Sequence, residues 1–217
     1  MQPAAGFREL FMPKLSEKRK EVLNAMMKEA IYDAAVSVLC EHGVSGMTMD
    51  RVATAANLAK GSLYNYFRNK QDLLRFVYGK IMDPMSRSIA ETAGDSSSAP
   101  QKLETILHTL FDHLGRHRGI LSLLLRDEAT RAIVEPTRQS GRAMALQHFI
   151  AIFAQGVAER SFRELDPALA GRMLLGGIGE IFQQHLIGQP QEVNKIINEV
   201  MGIFLQGVSA DSAVAAL

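Results

Sequence analysis

The chain has 217 residues, of which 47% are hydrophobic and 22% are charged, and its formal net charge is +1 at pH 7. This length permits one large or two small domains with a buried core, and the near-neutral balance excludes a polycationic chain. A single cysteine, Cys40, excludes an intrachain disulfide, and its place near the end of a long predicted helix favours a buried thiol.

No stretch is long and apolar enough to predict a membrane span, and the first residues lack the basic and then apolar pattern of an export signal. We therefore expect a cytoplasmic protein with no membrane association.

Residues 1–15 predict a flexible N-terminal arm, because two prolines and a glycine interrupt any regular pattern. Ser16 is placed to cap a long helix that runs to about His42 and stops at Gly43.

Two short helices joined by a tight turn follow. The first extends from Thr48, whose hydroxyl can act as the N-cap, to about Ala56. Asn57 stands where a left-handed residue is needed, and the second helix runs from about Lys60 to Phe67. This spacing is typical of a helix-turn-helix.

The outward positions of the second helix carry hydrogen-bond donors, and no acidic residue occurs between Arg51 and Arg68. Ser62 and Asn65 can bond to base edges, while the ring of Tyr64 can contact a thymine methyl group. Phosphate contacts, which set register without reading sequence, are expected from Thr48, Lys60 and Lys70.

The segment from Thr48 to Leu74, with its run Gly61-Ser62-Leu63-Tyr64-Asn65-Tyr66-Phe67-Arg68-Asn69-Lys70, resembles the DNA-binding signature of TetR-type (tetracycline-repressor-like) transcriptional regulators. The likeness covers about residues 20 to 80. Matched residue by residue, it implies DNA contacts from Thr48, Met49, Lys60, Gly61, Ser62, Tyr64, Tyr66 and Lys70, to which the base-edge argument adds Asn65. It also implies an all-α fold of about nine helices. A helix-turn-helix DNA-binding domain would occupy residues 16–70, a ligand-binding and dimerisation domain residues 71–208, and a flexible tail residues 209–217.

A fourth helix is predicted after Asn69, which can cap it together with Asp72. Pro84 lies within its apolar pattern and predicts a bend or break between Lys80 and Pro84, unless the helix simply ends at Asp83.

Five further helices complete the pattern, and no strand-like alternation occurs. Caps, prolines and apolar periodicity predict them over residues 100–116, 120–125, 136–159, 167–187 and 190–208.

The last two of these helices are apolar over more than one core-facing stripe, and the first of them contains Gly176, Gly177 and Gly179 close together. Pairing with the same helices of a second copy would cover the extra surface, whereas packing within a monomer is the alternative. The resemblance also implies this dimer. The expected interface residues are Gly176, Gly177, Ile178, Ile181, Phe182, Ile197, Met201 and Phe204.

The C-terminal helices are also expected to enclose a mostly apolar effector pocket with a few polar groups. The candidates for its lining are His113, Arg126, Met144, His148, Phe149 and Met173. Arg126 could hold an anionic ligand or pair with a neighbouring acid in solvent.

Glu104, His108 and Asp112 have metal-compatible spacing, but a solvated helix face explains them better, so no metal or cofactor is predicted. Catalytic motifs such as H-E-x-x-H, G-x-S-x-G or a Walker loop do not occur, which argues against an enzyme.

The sequence therefore predicts a homodimeric repressor that binds a palindromic operator in double-stranded DNA and is released by a small effector. The alternatives are a DNA-binding regulator without an effector and an all-helical protein-interaction module.

Overall fold

A computed structural model describes residues 12–183 and 193–208, with side chains from residue 17 onward and for part of the last helix. Within these ranges the chain forms helices and no β-strand, which confirms the all-α prediction. The helices are α1 (Met12–Gly46), α2 (Met49–Ala55), α3 (Lys60–Tyr64), α4 (Lys70–Gly94), α5 (Ala99–Arg116), α6 (Arg118–Arg126), α7 (Glu128–Ala158), α8 (Pro167–Ile181) and α9 (Val193–Val208). None of these described helices is long and apolar enough to cross a membrane.

The chain divides into two compact units, Met1–Leu73 and Leu74–Leu217, and the division falls within α4. In the first unit α2 packs against both α1 and α3. Their shared core consists of fully buried aliphatic side chains, among them Ile31, Ala35, Leu39, Val52 and Leu63.

Helix α1 starts earlier than predicted and is interrupted where predicted. It begins at Met12, because Pro13 fits the first turn of a helix, where no N–H bond is lost. The expected interruption occurs at Gly43, whose φ of 65° is left-handed. Cys40, in contrast, is exposed, because it points away from the face that buries Ile31 and Val38.

Helix α4 continues through Pro84, so it neither breaks between Lys80 and Pro84 nor ends at Asp83. The alternative expectation, a bend at this place, stays a prediction. A proline inside a helix costs about 3 kcal/mol. Here Ile81 and Ile89 lie on either side of it at 1% and 2% exposure, and burying one such side chain contributes about 1.5–3 kcal/mol. Packing of the flanking residues thus offsets the proline.

Helix α7 corrects the predicted start at Pro136. It begins eight residues earlier, at Glu128, where the side chain of Asp127 accepts a hydrogen bond from the Thr130 N–H at 2.8 Å. Val134 is completely buried, so the turns before Pro136 are held by the core.

The second unit is organised around α7, which packs against α5, α6 and α8, while α5 also packs against α9. Phe111, Phe149 and Phe153 fill its core at 1% exposure or less. The predicted cap of α8 is confirmed, because Asp166 accepts from the Ala168 N–H at 2.8 Å. The predicted end of α8 near residue 187 and start of α9 at residue 190 lie outside the described residues.

Candidate functional site

The helix-turn-helix is closed by the local bonds that the sequence predicts. The Thr48 hydroxyl accepts from the Arg51 N–H at 3.2 Å, and Asn57 adopts the left-handed conformation with φ of 54°. Helix α3 ends at Tyr64, three residues before the predicted Phe67, although the Phe67 N–H still bonds to the Leu63 carbonyl at 3.1 Å. Leu63 and Phe67 are both buried and fix α3 to its unit.

The outer side of α3 is a continuous polar surface. Lys60, Gly61, Tyr64 and Asn65 are exposed, Tyr64 to 43%, and Ser62 is half-buried. A methyl group placed on Gly61 would meet no described atom within 4 Å, so the backbone is open to close approach. These side chains are mainly hydrogen-bond donors at the surface.

Lys60 is held by an acid from the neighbouring helix. Its Nζ lies 2.7 Å from Oδ1 and 3.0 Å from Oδ2 of Asp50. The hydrogen bond and the negative charge of Asp50 raise the pKa of Lys60, which therefore keeps its charge. Because both side chains are well exposed, another anion can replace this carboxylate.

Lys70 and Asn69 join the start of α4 to the first unit. The Lys70 ammonium is half-buried and donates to the Val44 carbonyl at 2.5 Å. Asn69 Oδ1 accepts from the Asp72 N–H at 2.9 Å, which confirms the predicted cap.

The second unit contains a cavity of about 460 Å³, within the range of about 300–1,000 Å³ that is usual for small-molecule sites. Helices α4 to α8 all contribute to its walls. Most of the lining is apolar: Met82, Met85, Ile89, Leu110, Leu114, Leu121, Leu125, Ala132, Met144, Ala145, Leu175, Ile178 and Phe182.

One wall carries a line of charged side chains from α7, here named the charged stripe: Arg131, Glu135, Arg138 and Arg142. Steps of four, three and four residues place them on one helix face. Arg138 donates to the Glu135 carboxylate from Nε at 2.6 Å and from Nη2 at 2.9 Å, which lowers the pKa of Glu135. Arg131 and Arg142 make no side-chain hydrogen bond or ion pair with any described residue.

Tyr78 of α4 also lines the cavity and is 4% exposed. Burial raises the pKa of its hydroxyl to about 12, so the group is protonated at neutral pH and can donate a hydrogen bond.

Comparisons with known proteins agree with this architecture. Residues 31–77 match the model of the tetR family of bacterial regulatory proteins. The fatty acid metabolism regulator protein of Bacillus subtilis is 26% identical over 82% of this chain and 93% of its own length. Residues 31–77 are therefore a tetR-family DNA-binding region, and the chain is similar to regulators of this kind over most of its length. It is accordingly a DNA-binding transcriptional regulator and not an enzyme.

Two solved structures show the same fold. FadR from Bacillus subtilis in complex with stearoyl-CoA has a TM-score of 0.68 at 24% identity, over 83% of this chain and 98% of that one. The complex of SmeT with triclosan has a TM-score of 0.75 at 22% identity, over 86% of this chain and 93% of that one. SmeT is the repressor of a multidrug efflux pump of Stenotrophomonas maltophilia.

The residues expected at DNA are exposed or half-buried, with one exception. Thr48 is exposed, and Tyr66 is half-buried at the edge of the surface. The side chain of Met49, however, is only 8% exposed because it packs into the core, so only its backbone remains available for contact.

Only two of the six residues expected in the effector pocket, Met144 and His148, line the cavity. His113 and Phe149 belong to the core instead, and His113 Nε2 lies 2.6 Å from the Ile81 carbonyl. Arg126 and Met173 are exposed and outside the cavity lining. These four residues lie on faces of their helices that do not point into the cavity, and the sequence alone does not give the rotation of each helix about its axis.

Sequence reasoning missed the charged stripe of α7. With α7 predicted to begin at Pro136, Arg131 and Glu135 fell outside any helix. The sequence does contain a signal for an earlier start of α7. Asp127 can cap a helix at the position of Thr130, three residues later, and the charged residues that follow repeat every three or four positions.

The residues expected in a dimer interface are placed less uniformly. Gly176 and Gly177 are exposed, and a methyl group on either would meet no described atom within 4 Å. Ile181 and Phe182 are half-buried, whereas Ile178 is only 4% exposed because it faces the cavity of its own chain.

On α9, Phe204 is half-buried, with its ring centroid 5.9 Å from that of Phe153. The side chains of Ile197 and Met201 lie outside the described residues. Another glycine of α8, Gly179, approaches a side chain of the same protomer, because a Cβ there would lie 2.7 Å from Nη1 of Arg142.

Proposed function

We propose that this protein is a homodimeric repressor that binds a palindromic operator through α3 and leaves it when a small, largely apolar effector occupies the cavity. One observation carries the DNA-binding part: α3 buries Leu63 beneath it and exposes Lys60, Tyr64 and Asn65. A helix of this kind reads base edges in the major groove with its exposed side chains.

The exposed side chains divide into two roles. Ser62, Tyr64 and Asn65 contact bases, while Thr48 and Lys60 contact phosphates. Lys70 can join the phosphate contacts, because its ammonium has three N–H donors and the Val44 carbonyl uses one of them.

The dimer is supported by apolar side chains exposed on α8 and α9. Leu169 and Met173 are 54% and 61% exposed, about two turns and one turn before Gly176 respectively, and Ile203 of α9 is 76% exposed. A second copy related by twofold symmetry would cover such a surface. Two copies of α3 then require an operator with two matching half-sites.

The effector is supported by the apolar cavity of the second unit. FadR was solved with stearoyl-CoA and SmeT with triclosan, so proteins of this fold hold small molecules. Filling the cavity can act on α4, because Tyr78, Met82 and Ile89 of that helix form part of its wall.

The DNA-binding part is tested by selecting bound sequences from random DNA and titrating the selected site in gel shifts. Tyr64→Ala should abolish binding, because it removes both the ring and the hydroxyl from the exposed surface. Tyr64→Phe separates the two, since it keeps the ring contact and loses the hydroxyl. Unchanged affinity of Tyr64→Ala would refute the assignment of α3.

The dimer is tested with two exposed methionines in different helices. Met173→Asp places a charge on the α8 surface and should give monomers that no longer bind the operator. Met26→Asp, at a site that is 64% exposed on α1, is the matched control and should remain dimeric. Light scattering after size exclusion measures both, and a dimeric Met173→Asp variant would rule out this interface.

A further inference from the structure

We propose that the cavity selects amphipathic anions: the apolar walls take a hydrocarbon tail, and Arg142 and Arg131 hold a carboxylate or phosphate head. This inference rests on the proposed effector function and adds the chemical class of the effector. It also identifies the residues that distinguish a charged head from a neutral one.

The first support is the charge balance of the charged stripe. Glu135 is occupied by a two-point contact with Arg138, so this pair is close to neutral. Glu128 of α7 also lines the cavity, and the charge of Arg131 helps to lower the pKa of Glu135, so three arginines face two glutamates there. Arg142 is half-buried and makes no side-chain hydrogen bond or ion pair with any described residue, so the excess positive charge is assigned to it. A cation removed from water in this way is stabilised by an anion that enters with the ligand.

The second support is the space made for Arg142. A Cβ at position 179 would come within 2.7 Å of its Nη1, so the guanidinium lies against the α8 backbone where only glycine permits it. Gly179 and Arg142 both line the cavity. The glycine therefore positions the cation at the wall.

The third support is the chemistry of the groups. The planar guanidinium presents parallel N–H donors that match the two oxygens of a carboxylate or phosphate. Tyr78 lines the same cavity with a hydroxyl that can add a third donor. Away from these groups Met82, Leu121 and Ile178 supply an apolar surface for a tail.

Three probes with the same twelve-carbon tail test the proposal: dodecanoate, 1-dodecanol and dodecanoyl-CoA. Binding to the full-length protein is measured by calorimetry, and release of the selected operator is measured in gel shifts. Dodecanoate or dodecanoyl-CoA should bind at least about tenfold more tightly than the alcohol, because charge-assisted hydrogen bonds are the stronger kind. Whichever of dodecanoate and dodecanoyl-CoA binds more tightly shows whether a carboxylate or the phosphates of coenzyme A supply the anion.

Variants then identify the residues. Arg142→Gln should remove the preference for the anionic probes over dodecanol and leave the affinity for dodecanol unchanged. The control is Arg116→Gln, at an exposed arginine on α5 outside the cavity lining, which should change neither the preference nor the affinity for dodecanol. Gly179→Ala keeps the charge and displaces the guanidinium, so it should weaken dodecanoate binding several-fold. Gly115→Ala, where a methyl group meets no described atom within 4 Å, is its control.

Two results would overturn the inference, and they differ in what they say about the proposed function. If dodecanol binds as tightly as the anions, or Arg142→Gln weakens all three probes equally, the head-group role fails while the cavity remains an effector site. If no probe binds to protein that still binds its operator, both the head-group role and the effector role of the cavity fail.

Discussion

The exposed pair between Lys60 and Asp50 leads to a quantitative prediction for DNA binding. The side chains are 60% and 64% exposed, so water and salt screen their attraction and a DNA phosphate can take the place of the carboxylate. Each phosphate neutralised on B-DNA contributes about 0.9 to the steepness of log K against log salt. Lys60→Ala in both protomers of the proposed dimer should therefore reduce that slope by about 1.8.

The assay is a salt titration of operator affinity, by fluorescence anisotropy. Between about 50 and 200 mM salt, the wild type should lose roughly tenfold more affinity than Lys60→Ala. Asp50→Asn releases the ammonium without removing it, so affinity should rise and the slope should not decrease. Arg116→Gln removes one cation from the second unit and controls for net charge. A slope unchanged in Lys60→Ala would show that Lys60 stays with Asp50 and does not contact phosphate.

Three further predictions concern the second unit and are checked by urea unfolding. Gly156→Ala should lower the free energy of unfolding by about 1–3 kcal/mol, because its Cβ would overlap the ring of Phe162. Gly141→Ala in the same helix is the control and should raise the free energy of unfolding by about 0.5–1 kcal/mol, because a methyl group there meets no described atom within 4 Å. Equal effects of the two substitutions would contradict this prediction. His113→Phe should cost about 1–3 kcal/mol, because it removes a buried hydrogen bond to a carbonyl of α4, and a neutral effect would show that the bond contributes little. Burial, followed by the nearby His113 and Arg116, lowers the pKa of His117 from 6.5. The unfolded chain therefore binds this proton more readily, and stability should fall as the pH drops below about 6.5. His117→Gln should flatten that decrease between about pH 7 and pH 5, and an unchanged profile would assign it to other groups.

The parts of the fold that local bonds define were predictable. Thr48 caps α2, Asn57 makes the left-handed turn, and Asp166 caps α8, in each case through groups no more than a few positions apart. The side chain and the backbone group that satisfies it are neighbours in sequence, so the pattern of residues contains the whole interaction.

The two internal prolines show where local rules predicted helix boundaries that do not occur. Pro84 and Pro136 each predict an interruption or a start, and each lies inside a continuous helix. A proline inside a helix still costs about 3 kcal/mol locally. What opposes it is the burial of Ile81, Ile89 and Val134 in the core, and that contribution has no local signature.

The surface of α3 and the cavity also differ in how far the sequence alone predicts them. The all-α class, the helix-turn-helix and the donor-rich face of α3 could be predicted from the sequence, because helical periodicity and capping act over one or two turns. Three features depend instead on packing between distant segments: Lys60 pairs with Asp50, Met173 and Arg126 lie outside the cavity, and Arg131 and Arg142 line it. The cavity forms where five helices meet, so its lining depends on the register of each helix against partners far away in sequence.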